Sequence, residues 1–353
     1  MTDLNDTIVD AVTRARDERK PLYIRGGDSK RQLLGRDCQA EPLDMSAHRG
    51  IIDYQPGELV VTARAGTPLA DIHELLAQHR QMLPFEPPLL GGRATLGGTL
   101  ACNISGPGRP WYGSIRDMVL GVRLVNGEAQ LLKFGGQVMK NVAGYDVSRL
   151  QAGALGTLGV ISEVSLKVLP LPEHSTTLVY AMDATQALEV MNRRAREPRP
   201  LSGAFWLDGR LYLRISGAAS AVEQTASDWG GERSQQAEDI WSQLREMSLP
   251  FFRGDEALWR LSLNSAAPTT TPPEATLIDW GGAQRWLSGD ADFTRLQRSA
   301  ATAGGHASLF RGGDRNGEVR QALEPVQQGL QQRLKKAFDP HGIFNPGRLY
   351  SWL

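Results

Sequence analysis

The sequence predicts an α+β fold in two parts, and three observations predict it. From Leu90 to Gly113 it reads LGGRATLGGTLACNISGPGRPWYG, so dense in small residues that a packed core element is not expected there. Hairpin-type strand pairs are interleaved with amphipathic helices along the whole chain. After Pro170-Leu171-Pro172 the texture changes, glycine thinning out and tryptophan becoming more frequent, and 353 residues exceed the usual size of one core.

Each element follows from local pattern. Leu4, Ile8, Val9, Val12 and Ala15 recur at helical spacing, so Leu4–Arg19 is expected as an amphipathic helix ended by Pro21. Leu22-Tyr23-Ile24 reads as a short buried strand running into the loop Arg25–Lys30. IIDY and ELVVTAR flank Gln55-Pro56-Gly57 as a hairpin, and Thr67 is expected to cap a helix with Pro68 in its first turn and Leu69, Ile72, Leu75 and Leu76 inward. A second hairpin is expected around Asn126-Gly127, then a strand over Leu158–Leu169. In the second part LVYAM, SGAFWL and RLYLRIS read as strands, Ala184–Arg196 and Ala219–Trp229 as helices, and Ser262–Ala275 and Arg311–Gly317 as loops. A last helix is expected over Gly317–Ala337, followed by the Pro/Gly-rich FDPHGIFNPGR. The expected units are residues 1–172, 173–335 and a tail, 336–353, that returns to the first unit.

Composition excludes several classes. The 39 basic residues balance 39 acidic ones, so no net field draws the chain to nucleic acid or an anionic membrane. Cys38 and Cys102 lack a CxxC companion, so neither an iron–sulfur cluster nor a cysteine zinc site can be built from them. The opening MTDLNDTIVD is acidic where a signal peptide is basic and then apolar, and no apolar run reaches the roughly 18–20 residues of a membrane span. A cytoplasmic location and no direct membrane span are expected.

Three stretches share one chemistry. Arg25–Lys30 offers main-chain N–H groups after a strand, Leu90–Gly113 a long path of small residues, and Gly153–Ile161 (GALGTLGVI) a third surface of close approach. A single phosphate needs one such loop, whereas three suit an extended anionic ligand such as a dinucleotide. Neither GxGxxG between strand and helix nor GxxxxGK[ST] occurs, so the usual dinucleotide and P-loop readings lose their support. The bland alternative is that these glycines serve only hairpins and bulges.

PLYIRGGDSK, TLGGTLACNISGPGRPWYG, the strand pair around Asn126-Gly127, GALGTLGVI and DPHGIFNPGR together resemble the FAD-binding fold of the vanillyl-alcohol-oxidase (PCMH) and D-lactate-dehydrogenase type. The resemblance covers residues 1–172 and the last dozen or so. More narrowly, KFGGQVMKNVAGYDVSRL and LFRGGD are similar to the E subunits of bacterial glycolate oxidase. It implies that Arg25, Gly26, Gly27, Asp28, Ser29 and Lys30 cradle the pyrophosphate of FAD. Pro88, Leu96, Gly97, Gly98, Ala101, Asn103 and Gly106 would line the cofactor, with Arg109, Tyr112 and Gly113 close by; Gly156, Gly159 and Ile161 would complete the pocket, and Asn345 would return to the flavin face. Relatives with a covalently attached flavin often carry His in the first loop; Asp28 stands there, so FAD is expected to be non-covalent. Leu155 stands where many relatives have Glu.

The same resemblance implies oxidation of a small 2-hydroxy acid, glycolate to glyoxylate, by hydride transfer to flavin. The electrons would pass to a second FAD subunit and an iron–sulfur subunit, through which the chain would sit at the inner face of the membrane. Such chemistry needs a base and a cation for the carboxylate. His48, His73, His79, His174, His306 and His341 are scattered without HExxH, and no catalytic metal is expected. Arg311, Arg315 and Arg348 are candidate cations, Arg311 and Asn345 the candidates for catalysis, and Tyr145 and Asp146 for facing the flavin. The alternative is a non-catalytic electron-relay or assembly subunit whose paralogous partner oxidises the substrate, with Trp229, Trp241, Trp259, Trp280 and Trp286 either at a partner interface or in the core.

Overall fold

The computed structural model describes residues 3–136, 146–269 and 277–353, so Tyr145 and most of the KNVAGYD segment lie outside the described residues. The first helix, Asn5–Glu18, buries Ile8, Val12 and Ala15 and closes at Arg19 in the left-handed region. Strand Leu22–Arg25 then pairs in parallel with Glu41–Asp44. A five-stranded sheet follows in the order Ile51–Gln55, Val60–Arg64, Val160–Lys167, Val119–Val125, Leu131–Gly135, every neighbouring pair antiparallel.

Helix Leu69–Ala77 covers this sheet with Leu69, Ile72 and Leu76 inward. Its cap is Pro68; Thr67 turns away, its Oγ1 accepting the Gly50 N–H at 2.9 Å. The glycine-rich stretch is itself a core element, contrary to the expectation from its composition. Residues Leu96–Cys102 form a helix whose Leu96 and Leu100 are fully buried in the same core. Its small residues permit this packing, because a Cβ at Gly97 would stand 2.6 Å from the Ala65 Cβ. The second hairpin turns over Asn126–Gln130, with the Asn126 carboxamide oxygen accepting the Glu128 and Gln130 N–H groups. Ala129, at φ 60°, takes the left-handed position expected of Asn126-Gly127. Gly127 is required for another reason: a Cβ there would meet Asp339 at 2.8 Å.

The second part is built on an antiparallel sheet of eight strands in the order Glu232–Arg233, His174–Ala181, Arg210–Gly217, Leu201–Leu207, Leu277–Asp279, Gln284–Ser288, Leu258–Ser262, His306–Arg311. Successive side chains of a strand point to opposite faces. One face packs on helices Ala184–Arg194, Ala219–Trp229 and Phe293–Thr302. The other turns Phe205, Leu258, Leu277, Trp286 and Phe310 into a core shared with Leu33, Leu34, Ile104, Leu155, Leu349 and Tyr350. The last helix is shorter than expected, Pro325–Phe338, because Val319 and Arg320 run beside the final strand, where the Leu309 N–H donates to the Val319 carbonyl at 2.8 Å. The tryptophans weighed for an interface, Trp229, Trp241, Trp259, Trp280 and Trp286, are all buried.

The tail is clipped to the first part by a buried ion pair. Lys335 Nζ donates to Asp339 Oδ2 at 2.7 Å and to the carbonyls of Thr157 and Phe344, and the Asp339 carboxylate accepts the N–H groups of Ile343 and Phe344. Removing one member strands the other charge without water. Lys335→Met is therefore expected to lower unfolding stability by about 3–5 kcal/mol in a urea titration, and to expose the tail to limited proteolysis.

Candidate cofactor cleft

The first loop is fixed by contacts that only glycine permits. A Cβ on Gly26 would stand 2.2 Å from Thr95 Oγ1, and one on Gly27 1.7 Å from the Arg93 carbonyl oxygen. The loop therefore lies directly on the start of the Leu96–Cys102 helix. Across from it Asn345 ties the tail to two walls at once: its Oδ1 accepts the Ile24 N–H at 2.8 Å and its Nδ2 donates to the Leu155 carbonyl at 2.6 Å. Gly156, at φ 74°, leaves room for that carboxamide, since a Cβ would meet its nitrogen at 2.7 Å. Asp28, Leu155 and Asn345 all have φ between 42° and 53°, a conformation that Asp and Asn tolerate and that costs a leucine about 1–2 kcal/mol. Packing holds them there around one space.

That space is a cleft of about 740 Å³, counted with the solvent at its mouth. Arg25, Gly26, Gly27, Asp28, Ser29 and Lys30 line it, together with Gly97, Gly98, Ala101, Gly156, Gly159, Ile161 and Asn345. The three stretches separated in sequence thus meet. Other candidates lie elsewhere. Leu96 and Pro88 are buried away from the cleft, Leu96 in the core of the five-stranded sheet. Asn103 ends the helix at φ 51°. Gly106 is pressed on Glu86 and accepts the Trp280 indole N–H at 3.0 Å. Arg109 stacks over the Trp280 ring, and the turn Arg109–Tyr112, closed by Gly113, packs on strand Leu201–Leu207. Small residues placed them near the glycine stretch in sequence, but the helix carries the chain away from the cleft.

The candidate catalytic side chains are already engaged. Arg311 donates to the carbonyls of Phe252 and Gly254 and lies outside the cleft. Asn345 spends both polar atoms on main-chain groups, which makes it a positioning residue. Arg315 is buried against the Gly35 carbonyl. Arg348 lines the cleft beside the Tyr23 ring, its guanidinium donating to the carbonyls of Lys30, Arg31 and Arg36 and so holding the first loop closed. Asp146 caps the short helix Val147–Leu150. Tyr23, Met45, Ala65, Thr95 and Cys102 also line the cleft without having stood out. Tyr23, Thr95 and Cys102 lie within PLYIRGGDSK and TLGGTLACNISGPGRPWYG, whereas Met45 and Ala65 carry no local signal.

The electrostatics favour an anion. Lys30 is 6 % exposed, and among the described residues its ammonium meets no carboxylate and makes no hydrogen bond; burial pushes it below the usual lysine range. The N–H groups of Gly26, Gly27, Asp28, Ser29 and Gly156 likewise donate to no protein group among the described residues. A buried cation and a row of free donors facing one cleft are costly without a guest. A diphosphate supplies acceptors for both, so these residues fit a pyrophosphate-bearing cofactor. Asp28 is held by the Tyr23 hydroxyl, which donates to it at 2.9 Å.

Comparisons with known proteins agree with this geometry. A model of the FAD binding domain matches residues 4–135, and one of the C-terminal domain of FAD linked oxidases matches residues 311–349. The chain is 45 % identical to "Glycolate oxidase subunit GlcE" of Escherichia coli (strain K12) over 351 residues, 99 % of each chain. It is 30 % identical to "Glycolate oxidase subunit GlcD" of Bacillus subtilis over 49 % of this chain and 37 % of that one, and 23 % identical to a D-lactate dehydrogenase of Anaerostipes hadrus over 85 % and 78 %. Among solved structures, alkyldihydroxyacetonephosphate synthase superposes with a TM-score of 0.66 at 14 % identity, covering 97 % of this chain and 74 % of that one, a likeness of fold. Among the described residues no helix is long and apolar enough to cross a membrane.

Lys30→Met keeps the aliphatic stem and removes the charge. It is expected to weaken FAD binding about tenfold or more, read by quenching of flavin fluorescence on titration into the apo chain, with the thermal unfolding midpoint unchanged or raised.

Proposed function

We propose, from the premise that this chain belongs to the glycolate oxidase E-subunit family of FAD-dependent oxidoreductases, that it contributes to oxidation of glycolate to glyoxylate with its FAD held non-covalently. The observation that carries the proposal is the unpaired Lys30 ammonium facing free main-chain donors in the cleft. In this reading residues 1–172 hold the cofactor, residues 173–335 form the cap and residues 336–353 close the cleft. FAD, when bound, supplies the two-electron acceptor for the substrate's hydride.

The chain's own residues do the rest. Gly26 to Lys30 bind the diphosphate, the small residues Gly97, Gly98 and Ala101 let the ligand lie close to the helix, and Arg348 and Asn345 keep the walls at fixed spacing. Electrons then leave through a second FAD subunit, akin to the relative named for the D subunit, and an iron–sulfur subunit, since this chain's two cysteines cannot hold a cluster. Through those partners the complex would meet the inner membrane face.

The relay reading is supported by one observation: no histidine lines the cleft among the described residues, so no imidazole stands ready as a base there. An anaerobic half-reaction separates the two. The purified, FAD-loaded chain mixed with glycolate is expected to lose its visible oxidised-flavin absorbance within seconds to minutes, at turnover rates of about 1 per second or below. Flavin that stays oxidised alone and is reduced only when the partner subunits are added would establish the relay.

A further inference from the structure

A second cavity, of about 370 Å³ with its mouth, lies between the Ile104–Pro107 segment and the inner face of the eight-stranded sheet. Its sheet wall is one row of paired residues. Leu277 is in register with Trp286, Trp286 with Arg260, Arg260 with Ser308, and Ser308 with Arg320. Directly paired residues on neighbouring strands share a face, so Arg260 and Arg320 project from the same side, separated by one serine.

Neither arginine is neutralised. Among the described residues the guanidinium groups of Arg260 and Arg320 have no carboxylate and no hydrogen-bond acceptor; Arg260 has only the Phe310 ring, 5.4 Å from its centre. Burial and the neighbouring arginines bring Arg260 down to about 9, and burial followed by the charge of both arginines pushes His306 below the usual imidazole range. The Asp279 carboxyl on the cavity wall is shifted up to about 7 by burial and does not serve as their counter-ion.

On the cavity wall stand buried polar atoms with no partner: Trp286 Nε1, Gln284 Oε1, Ser105 Oγ and Arg260 Nε. Trp286 and Gln284 are 5 % and 3 % exposed. Native proteins seldom leave such atoms unsatisfied, and a group of them on one cavity indicates a polar guest. Donors from Arg260 and Trp286 match a carboxylate, and the Gln284 carbonyl matches a hydroxyl donor one carbon away.

We propose that this cavity is a binding site for a small 2-hydroxymonocarboxylate, Arg260 taking the carboxylate and Gln284 accepting a hydrogen bond from the hydroxyl, while Arg320 stands outside the cavity. The choice of a hydroxy acid rests on the function proposed above; the anion site itself rests on the cavity.

The test is calorimetric titration of the FAD-loaded chain with glycolate and with its neutral isostere glycolamide. Glycolate is expected to bind, glycolamide at least tenfold more weakly, and Arg260→Gln to weaken glycolate at least tenfold with flavin content and thermal midpoint preserved. Arg260→Lys is expected to recover part of the loss, keeping the charge without the fork. Equal binding of the two ligands by the unmodified chain, which needs no variant to fold, overturns the proposal, as does undiminished glycolate binding by a folded Arg260→Gln. Binding that depends on Arg260 but leaves the flavin oxidised would support the site while refuting direct oxidation by this chain.

Discussion

The cleft in the first part of the molecule is spaced by one side chain. Asn345 joins the end of the first strand to the loop at Leu155, and the cleft is the gap that this carboxamide spans. Its position is fixed from behind by the Lys335–Asp339 pair and from the side by Arg348, which holds the carbonyls of the first loop. These three devices are each buried, so they exchange little with water and act as a frame. The left-handed conformation at Asp28, Leu155 and Asn345 persists because that frame overdetermines their backbone.

The two parts of the chain are not independent bodies beside each other. Leu34 donates to the Phe310 carbonyl, Glu246 accepts the N–H groups of Leu89 and Leu90, and Arg214 pairs with Glu86 at 2.7 Å. The approach to the glycine-rich helix is therefore anchored on the second part. One apolar core runs through the interface, with Ile104 and Leu155 from one side and Trp286 and Phe310 from the other. The second cavity is an interruption in that core, polar where its surroundings are apolar.

Much of this was legible in the sequence. Period and punctuation placed the first helix, the hairpins and the strands of the second part, because each carries its own hydrophobic pattern. Glycine density marked the three cleft walls correctly as regions of close approach. It misled about the stretch after Thr95: the same small residues that suggest a loop allow a helix to press against Ala65, and only tertiary packing separates the two outcomes. Helices Ala237–Glu246 and Phe293–Thr302 are masked by the polar sequence around them, although each has a strongly one-sided apolar face. Arg260 was illegible for a different reason. It sits in an ordinary strand, WRLS, and its meaning depends on register with Ser308 and Arg320, a relation between segments that no local pattern records.

The link between residues 24 and 345 also sets an order of events in the life of the chain. A ribosome releases the first loop long before it makes the asparagine that completes the cleft, so the nascent chain carries an open, unframed version of the site. Cofactor capture in its final geometry must wait for the segment that carries Asn345. A chain cut short before Asn345 would leave the cleft without its closing wall.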